Sequence, residues 1–333
     1  MQHTQTNPLL LSIVVVSYNT AELTLQCLRS IDREVESSKL LSNSTELIVI
    51  DNRSPDNSVE KITAFKKSAH TKVIIHPSTK NLGFGAANNW GIEHSSGNYI
   101  LFLNPDTELQ AGALDKLVTA FLEDQEVDKN TSESKLGILA ATLLNLDGTV
   151  QAQGGDEPSL LSLFCQMTLL DDLPVIGRFL PSIQHTGKRA PVTNPSNQAT
   201  QLNSIDWVAG TAMVVRRQVF TDCGMFDPQI FMYGEDVELC IRAKHHGWQI
   251  ALHPAARVTH LAHQSTSSQT AIKGEFTGLQ YIWAKHMPLW QVTPAKILLQ
   301  LGALIRTIIF TILPGKANQA KVYSQILNQL LDQ

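Results

Sequence analysis

Residues 99–108, Tyr99-Ile100-Leu101-Phe102-Leu103-Asn104-Pro105-Asp106-Thr107-Glu108, place a carboxylate directly after a short apolar run. That run, entered through the turn signal Ser96-Gly97-Asn98, reads as a buried strand. Pro105 cannot continue a central strand, so the chain must leave the sheet where Asn104 and Asp106 appear. Open α/β sheets bind ligands beyond the carboxyl ends of their strands, which makes Asp106 a candidate metal ligand. The competing reading is a cap on the helix that starts near Gly112, or an Asx turn. A second set of carboxylates, Glu235 and Asp236, follows Gly234. The glycine permits a strained turn, and the helix behind it directs its positive end at the two acids; capping is an alternative role for both. His260 stands at the end of a short strand at 257–260, where a lone histidine reads as structural, and His263 reads as solvated.

The surrounding pattern supplies a scaffold for these groups. Residues 12–17 are β-branched and apolar in the middle, as in a strand covered on both faces. After Tyr18-Asn19-Thr20, Leu23, Cys27, Leu28 and Ile31 follow helical spacing. Residues 46–50 form a second strand that ends in Asp51-Asn52-Arg53-Ser54-Pro55-Asp56, before a helix with Val59, Ile62 and Phe65 on one face. A third strand at 72–76 precedes Asn81-Leu82-Gly83-Phe84-Gly85 and a helix ending near Gly97. Strands alternating with helices imply right-handed crossovers and a mainly parallel sheet. The first turn holds no glycine and no Gly-Lys-Ser or Gly-Lys-Thr occurs, which sets aside dinucleotide-binding and P-loop proteins.

Farther on, a helix is expected at 111–126, a polar connection at 127–135 and a buried strand at 136–146. Residues 151–203 form an irregular insertion, with a short helical piece within 160–180. Its polar part, 184–203, reads as a lid-like loop or a disordered surface excursion. Residues 206–216 return to strand, and Gly210 in the middle signals a bulge, close approach by a ligand, or close packing of another backbone. The helix after Gly234 stops at Gly247, and 249–252 and 257–260 are short strands.

Composition narrows the class. A hydrophobic fraction of 43% and a charged fraction of 17% describe an ordinary globular chain, and a net charge of −4 gives no electrostatic reason to expect nucleic acid. Cys27, Cys165, Cys223 and Cys240 are scattered without a C-x-x-C pair, which favours reduced thiols and a cytoplasmic setting. The apolar run at 9–16 is too short and wrongly flanked for a secretory signal.

Five segments in order now carry a resemblance: Val14-Val15-Val16-Ser17-Tyr18-Asn19; Val49-Ile50-Asp51-Asn52-Arg53-Ser54-Pro55-Asp56; Asn81-Leu82-Gly83-Phe84-Gly85; Leu103-Asn104-Pro105-Asp106-Thr107-Glu108-Leu109; and Tyr233-Gly234-Glu235-Asp236-Val237-Glu238-Leu239-Cys240. Together they resemble glycosyltransferase family two, in particular its bacterial rhamnosyltransferase-like branch, over residues 11–267. The resemblance implies a GT-A-type α/β fold, a mainly parallel sheet flanked by helices with a helical C-terminal extension. It implies a catalytic domain at 9–268, divided into a nucleotide-binding half at 9–110 and an acceptor-side half at 111–268, and a tail at 269–333.

By the same resemblance Asp51 binds the donor's base, Ser17 and Tyr18 frame it, and Asn19, Ser54, Asn81, Gly83, Asn88 and Asn104 belong to the donor site. Asp106 and His260 hold a divalent metal, Mn2+ or Mg2+; Asn104 stands where many relatives have a first aspartate. Asp236 is the catalytic base, and Glu235, Trp207 and Gly210 orient the acceptor or the base. The implied chemistry is an inverting transfer from a nucleoside-diphosphate sugar to a cell-surface glycan or lipid-linked acceptor at the inner face of the cytoplasmic membrane. dTDP-rhamnose is the expected donor. A UDP-hexose or UDP-galactofuranose donor, or a catalytically silent sugar-nucleotide-binding protein, are the alternatives.

In the tail, residues 270–287 give a helix with Ile272, Phe276, Leu279 and Trp283 on one face. Residues 294–313 give another, with Lys296, Gln300, Thr307 and Thr311 on a narrow polar stripe. Lys296, Gln300 and Arg306 interrupt it too often for a membrane span. It fits either an in-plane helix at a membrane or a helix packed on the catalytic domain or on a homodimer partner.

Overall fold

The sheet grows outward from β1 (Leu11–Ser17), which is buried along its whole length. In the computed structural model, which describes residues 9–128, 135–185, 201–261 and 268–332, α1 (Ala21–Ser37), β2 (Thr45–Asp51), α2 (Ser58–Lys66), β3 (Lys72–Pro77), α3 (Phe84–Glu93) and β4 (Tyr99–Leu103) follow. β1 pairs in parallel with β2 and β4, and β2 pairs in parallel with β3. The carboxyl ends of these strands therefore share one edge, where Ser17 stands opposite Asp51.

Pro105 takes the chain out of the ladder as expected, but it soon rejoins as β5 (Thr107–Leu109). Next come α4 (Ala113–Asp128), β6 (Leu136–Leu144), β7 (Gly154–Gly155), α5 (Leu160–Met167), a 3-10 turn (Ile176–Phe179), β8 (Asn203–Ser204), β9 (Trp207–Val208) and β10 (Ala212–Arg216). The domain closes with α6 (Arg217–Cys223), α7 (Glu235–His245) and β11 (Gln249–His260). The main sheet runs β3-β2-β1-β4-β10-β6-β11-β5, with β8 beside β11 and a separate β7-β9 pair. β10 is antiparallel to β4 and β6, and β5 and β8 are antiparallel to β11, so the sheet turns mixed beyond β4.

Several expectations change in detail. Residues 249–252 and 257–260 belong to one strand, bent by a register shift between His253 and Arg257. Gly210 lies between β9 and β10 rather than inside a strand. Gly247 ends α7 at φ +83°, a conformation that suits glycine. Of the connection at 127–135 and the loop at 184–203, residues 129–134 and 186–200 lie outside the described residues, as does His263.

One apolar cluster fills the sheet face under α1 and α4, where Leu28, Ile31, Leu117 and Phe121 meet Leu47 and Leu101. A second fills the opposite face, joining Phe102 and Met213 to Phe226 and to Leu239 of α7. A third lies away from the sheet and unites α5 with α8 (Ser268–His286), α9 (Leu289–Ile312) and α10 (Ala317–Leu331) through Leu163, Met167, Trp283, Leu299 and Tyr323. The insertion and the tail thus form one helical layer. α9 starts at Leu289 and not at Pro294; Pro288 caps it and Pro294 is taken into the helix.

Candidate active site

Asp51, Ser54, Tyr18 and Asn19, expected from the sequence to meet the donor, cluster at the ends of β1 and β2. Asp51 is almost wholly buried; its Oδ2 accepts the Ser54 N–H at 3.0 Å and its Oδ1 has no protein partner. Ser54 Oγ in turn accepts the Asn19 N–H at 2.9 Å, with Asn19 held at φ +56°. Tyr18 stands 43% exposed and lines the cavity described below.

Asn52, which nothing in the sequence singled out, organises the neighbouring loop. Its amide donates to Asn81 Oδ1 and Gly83 O, and its Oδ1 accepts the Leu82 N–H at 2.8 Å. Gly83 has φ +81° and lies so close to the Phe231 carbonyl that a Cβ would collide with it.

Two expected donor residues turn inward. The Ser17 hydroxyl is buried against Thr24 (2.8 Å) and Thr20, and Asn88 is buried with its amide donating to Phe84 O (3.0 Å) one turn back. Neither reaches the cavity wall, because both side chains face the interior of the elements that carry them.

Strand register explains how Asp106 and His260 meet. β5 and β11 pair with His260 opposite Thr107, so the imidazole lies beside the preceding residue, its Nε2 3.4 Å from Asp106 Oδ1. Gln151 sets the ring: its amide nitrogen donates to His260 O (2.9 Å) and Asn145 Oδ1 (2.8 Å), so its Oε1, 2.8 Å from His260 Nδ1, is the acceptor. The imidazole therefore carries its proton on Nδ1 and turns Nε2 toward the carboxylate. With Nδ1 donating to Gln151, a neutral ring presents its Nε2 lone pair beside the Asp106 carboxyl, where one cation could take both, and a second residue holding the outer ring nitrogen is the usual support of a histidine ligand. The donor set fits a divalent metal. Among the described residues no group of three or more His, Cys, Asp and Glu could hold one, so the protein would supply two side chains. That is a common arrangement for Mg2+-like ions that bind substrate phosphates.

Glu235 and Asp236 open α7 behind Tyr233 and Gly234, both at positive φ. Asp236 Oδ2 accepts the Gly210 N–H at 3.1 Å and its Oδ1 accepts the Val237 N–H at 2.8 Å. Gly210 thus serves the carboxylate through its backbone. Glu235 Oε2 is buried without a partner. Burial pushes both carboxyls up, and for Glu235 the adjacent Asp236 charge adds to it, whereas the Gly210 and Val237 N–H groups pull Asp236 back. Two buried carboxyls side by side resist carrying two charges, so the pair as a whole favours holding a proton.

Helix α8 braces this turn. A Cβ on Gly274 would lie 2.6 Å from the Met232 carbonyl oxygen, and one on Gly278 would collide with the Tyr233 carbonyl, so both glycines are required for the close approach. One α7 turn farther, buried Glu238 takes Lys285 (2.8 Å) and His286 (2.9 Å) from α8 together with Arg242 from its own helix. Asp227 adds contacts to Tyr281 (2.7 Å) and Lys285.

A cavity of about 750 Å3 joins these parts: Tyr18, Asn52, Asn81 and Asn104 border it from the strand ends, and Gly210, Glu235, Asp236 and His260 from the other half. Trp207 lines it too, with its indole N–H donated to Ile183 O at 2.7 Å. Gln166 of α5 and Glu275 of α8 complete the wall; the Gln166 amide donates to Glu275 Oε1 at 2.8 Å. Asp106 lies behind His260, fully buried.

Residues 12–131 match the family model of glycosyl transferase family 2. Over 273 residues, 78% of this chain and 79% of the relative, the sequence is 26% identical to N-acetylglucosaminyl-diphospho-decaprenol L-rhamnosyltransferase of Mycobacterium tuberculosis. It is 28% identical over 193 residues, 56% of this chain and 63% of the relative, to rhamnosyltransferase WbbL of Escherichia coli. Among solved structures, GalNAc-T7 with UDP, GalNAc and Mn2+ superposes with a TM-score of 0.59 at 15% identity, covering 97% of this chain and 56% of that one. Mannosyltransferase PcManGT from Pyrobaculum calidifontis, in complex with GDP-Man and Mn2+, gives 0.54 at 13% identity, covering 96% and 85%. The fold is the GT-A type expected from the sequence.

Proposed function

We propose that this chain, a rhamnosyltransferase-like protein with a glycosyl transferase family 2 domain over residues 12–131, transfers a sugar from a nucleoside-diphosphate donor to an acceptor hydroxyl with inversion. The observation that carries the reading is Asp236. Its carboxylate is fixed by two backbone N–H groups, borders the same cavity as His260 and Tyr18, and sits next to a second buried carboxyl, Glu235.

A fixed, charged carboxylate beside bound substrate removes the acceptor's proton as its oxygen attacks, a contribution of typically ~10²–10⁴-fold. Burial raises the Glu235 carboxyl, and in its protonated form that carboxyl is a hydrogen-bond donor to the acceptor. Asp51 offers its partnerless Oδ1 to an N–H of the donor's base, and Tyr18 offers it a ring face. Asp106 and His260 would hold a divalent cation, which when bound neutralises the charge that develops on the departing diphosphate. The two protein ligands leave its other positions to water and phosphate oxygens.

The rhamnosyltransferase relatives support a rhamnose donor, dTDP-rhamnose, and the N-acetylglucosaminyl-diphospho-decaprenol in the mycobacterial enzyme's name supports a lipid-diphosphate-linked acceptor. The domain reading is a catalytic unit at 9–268 with the helical tail as its brace.

Donor hydrolysis across dTDP-rhamnose, UDP-hexoses and UDP-galactofuranose, with Mn2+ or Mg2+ added, tests the donor. Asp236→Asn tests the base: turnover should fall by ~10²–10⁴-fold with donor affinity unchanged. Full turnover in that variant would remove Asp236 from the role. Donor binding without turnover in the parent chain would favour the silent binding protein.

A further inference from the structure

Helix α9 presents a face that no described part of the chain covers. Trp290, Ile297, Leu301, Leu304, Ile308 and Ile312 recur along it at helical spacing and are exposed, Trp290 at 68% and Ile312 at 76%. Ala295, Leu299, Gly302 and Ala303, on the opposite face, are buried in the third cluster or against Met167. At 1.5 Å per residue the exposed stripe is about 33 Å long.

Four polar side chains beside the stripe, Gln300, Arg306, Thr307 and Thr311, are bonded within the protein. The Thr307 and Thr311 hydroxyls donate to Ala303 O and Thr307 O one turn back, and the Gln300 amide donates to Leu330 O of α10. Arg306 reaches inward to the Gln166 and Met167 carbonyls that end α5, where the negative helix end suits a guanidinium. Hydroxyls already bonded within a helix add little cost when the face leaves water.

Charge decides what covers the stripe. Of the six cations in residues 268–333, Lys285 is paired with Asp227 and Glu238 and Arg306 points inward, which leaves Lys273, Lys296, Lys316 and Lys321 against Glu275 and Asp332 on a chain whose total is −4. A basic tail on an acidic protein is drawn to an anionic surface. A second copy laid along the same stripe would present the same basic tail, with no opposite charge there to meet it.

The geometry points to α9 as an in-plane anchor that lays this stripe on an anionic lipid bilayer. A spanning orientation would strip Leu299 and Ala303 from their cluster and carry Arg306 into hydrocarbon, so the helix lies on the surface with its inner face still on the protein. The helices that pack on α9 from within, α5 and α8, also supply Gln166 and Glu275 to the cavity. Anchoring would therefore bring that wall toward the bilayer and an acceptor held there, a consequence that rests on the proposed transferase reading. The anchoring itself does not.

Co-sedimentation of the full chain with vesicles of phosphatidylcholine alone, or mixed with phosphatidylglycerol, tests it. The chain should sediment with the mixed vesicles and be released by high salt. The double variant Leu304→Glu with Ile308→Glu should bind at least about tenfold more weakly. Its hydrolysis of soluble donor should match the parent, which separates lost anchoring from lost folding or lost catalysis. Failure of the parent to bind mixed vesicles would overturn the proposal, as would unchanged binding by the variant. A parent dimer by light scattering that the variant converts to monomer would assign the stripe to a second copy and overturn it equally.

Discussion

Glu238→Gln strikes the joint between the helix that opens with Asp236 and the helix that braces it. Glu238 is fully buried and contacts Arg242, Lys285 and His286. Burial alone would raise its carboxyl, but the hydrogen bonds from His286, Arg242 and Lys285 outweigh burial and bring it from 4.5 down to about 2. A depression of roughly 2.5 pH units at ~1.4 kcal/mol per unit amounts to about 3 kcal/mol of folded-state stability. The folded value lies below the ordinary one, so the contribution is complete above about 4.5 and shrinks as pH falls toward about 2. Urea unfolding of parent and variant should therefore differ by about 3 kcal/mol at pH 7 and by only ~1.4 kcal/mol at pH 3. Because removing the carboxylate leaves the largely buried Arg242 guanidinium with less compensation, the neutral-pH figure agrees with the ~3–5 kcal/mol typical of broken buried pairs. Equal stability at pH 7, or a gap that stays constant down to pH 3, would refute the reasoning.

Two further predictions concern positioning. Gly278→Ala forces α8 off the Tyr233 carbonyl and so disturbs the turn that aims Asp236; kcat should fall by about 10²-fold with donor KM little changed, and an unaltered kcat would show that the close approach is dispensable. Gln151→Leu removes the acceptor that fixes the His260 ring; the divalent-ion concentration for half-maximal activity should rise ~10–100-fold, while kcat at saturating metal recovers, and an unshifted metal titration would remove Gln151 from that role.

The first half of the fold was legible because its strands are buried on both faces and write themselves as apolar runs. β1, β2 and β4 are each buried at every position, and their ends deliver Asp51 and the Asn104–Asp106 turn as expected. The misses have local causes. β5, β8 and β9 are two or three residues long, too short for any period to appear. The bend in β11 made one strand look like two. Ser17 and Asn88 sit in matching motifs, yet a motif does not say which way a side chain faces. Gln151 follows a turn in an irregular stretch, where no pattern marks it. Gly274 and Gly278 look like weak points in a helix, and only their contacts with Met232 and Tyr233 reveal what their missing side chains allow.

The change of strand direction between β4 and β10 is what brings the two halves of the site together. Because Leu103 pairs with Ala212, the backbone just beyond each strand end stays in contact: the Asn104 N–H donates to Thr211 O at 2.9 Å. The next residue back, Gly210, gives its own N–H to Asp236. Asp106 is tied to the far edge of the sheet in the same way, since the Leu261 N–H donates to its carbonyl at 2.9 Å and places His260 alongside. A short backbone path therefore links the Asn104–Asp106 turn to Asp236 on one side and to His260 on the other. Residues more than a hundred positions apart hold their spacing through ladder hydrogen bonds, and need no flexible loop to find each other. The wall of the same cavity outside the sheet is set instead by helices, among them α5 with Gln166 and α8 with Glu275, whose side chains bond to each other.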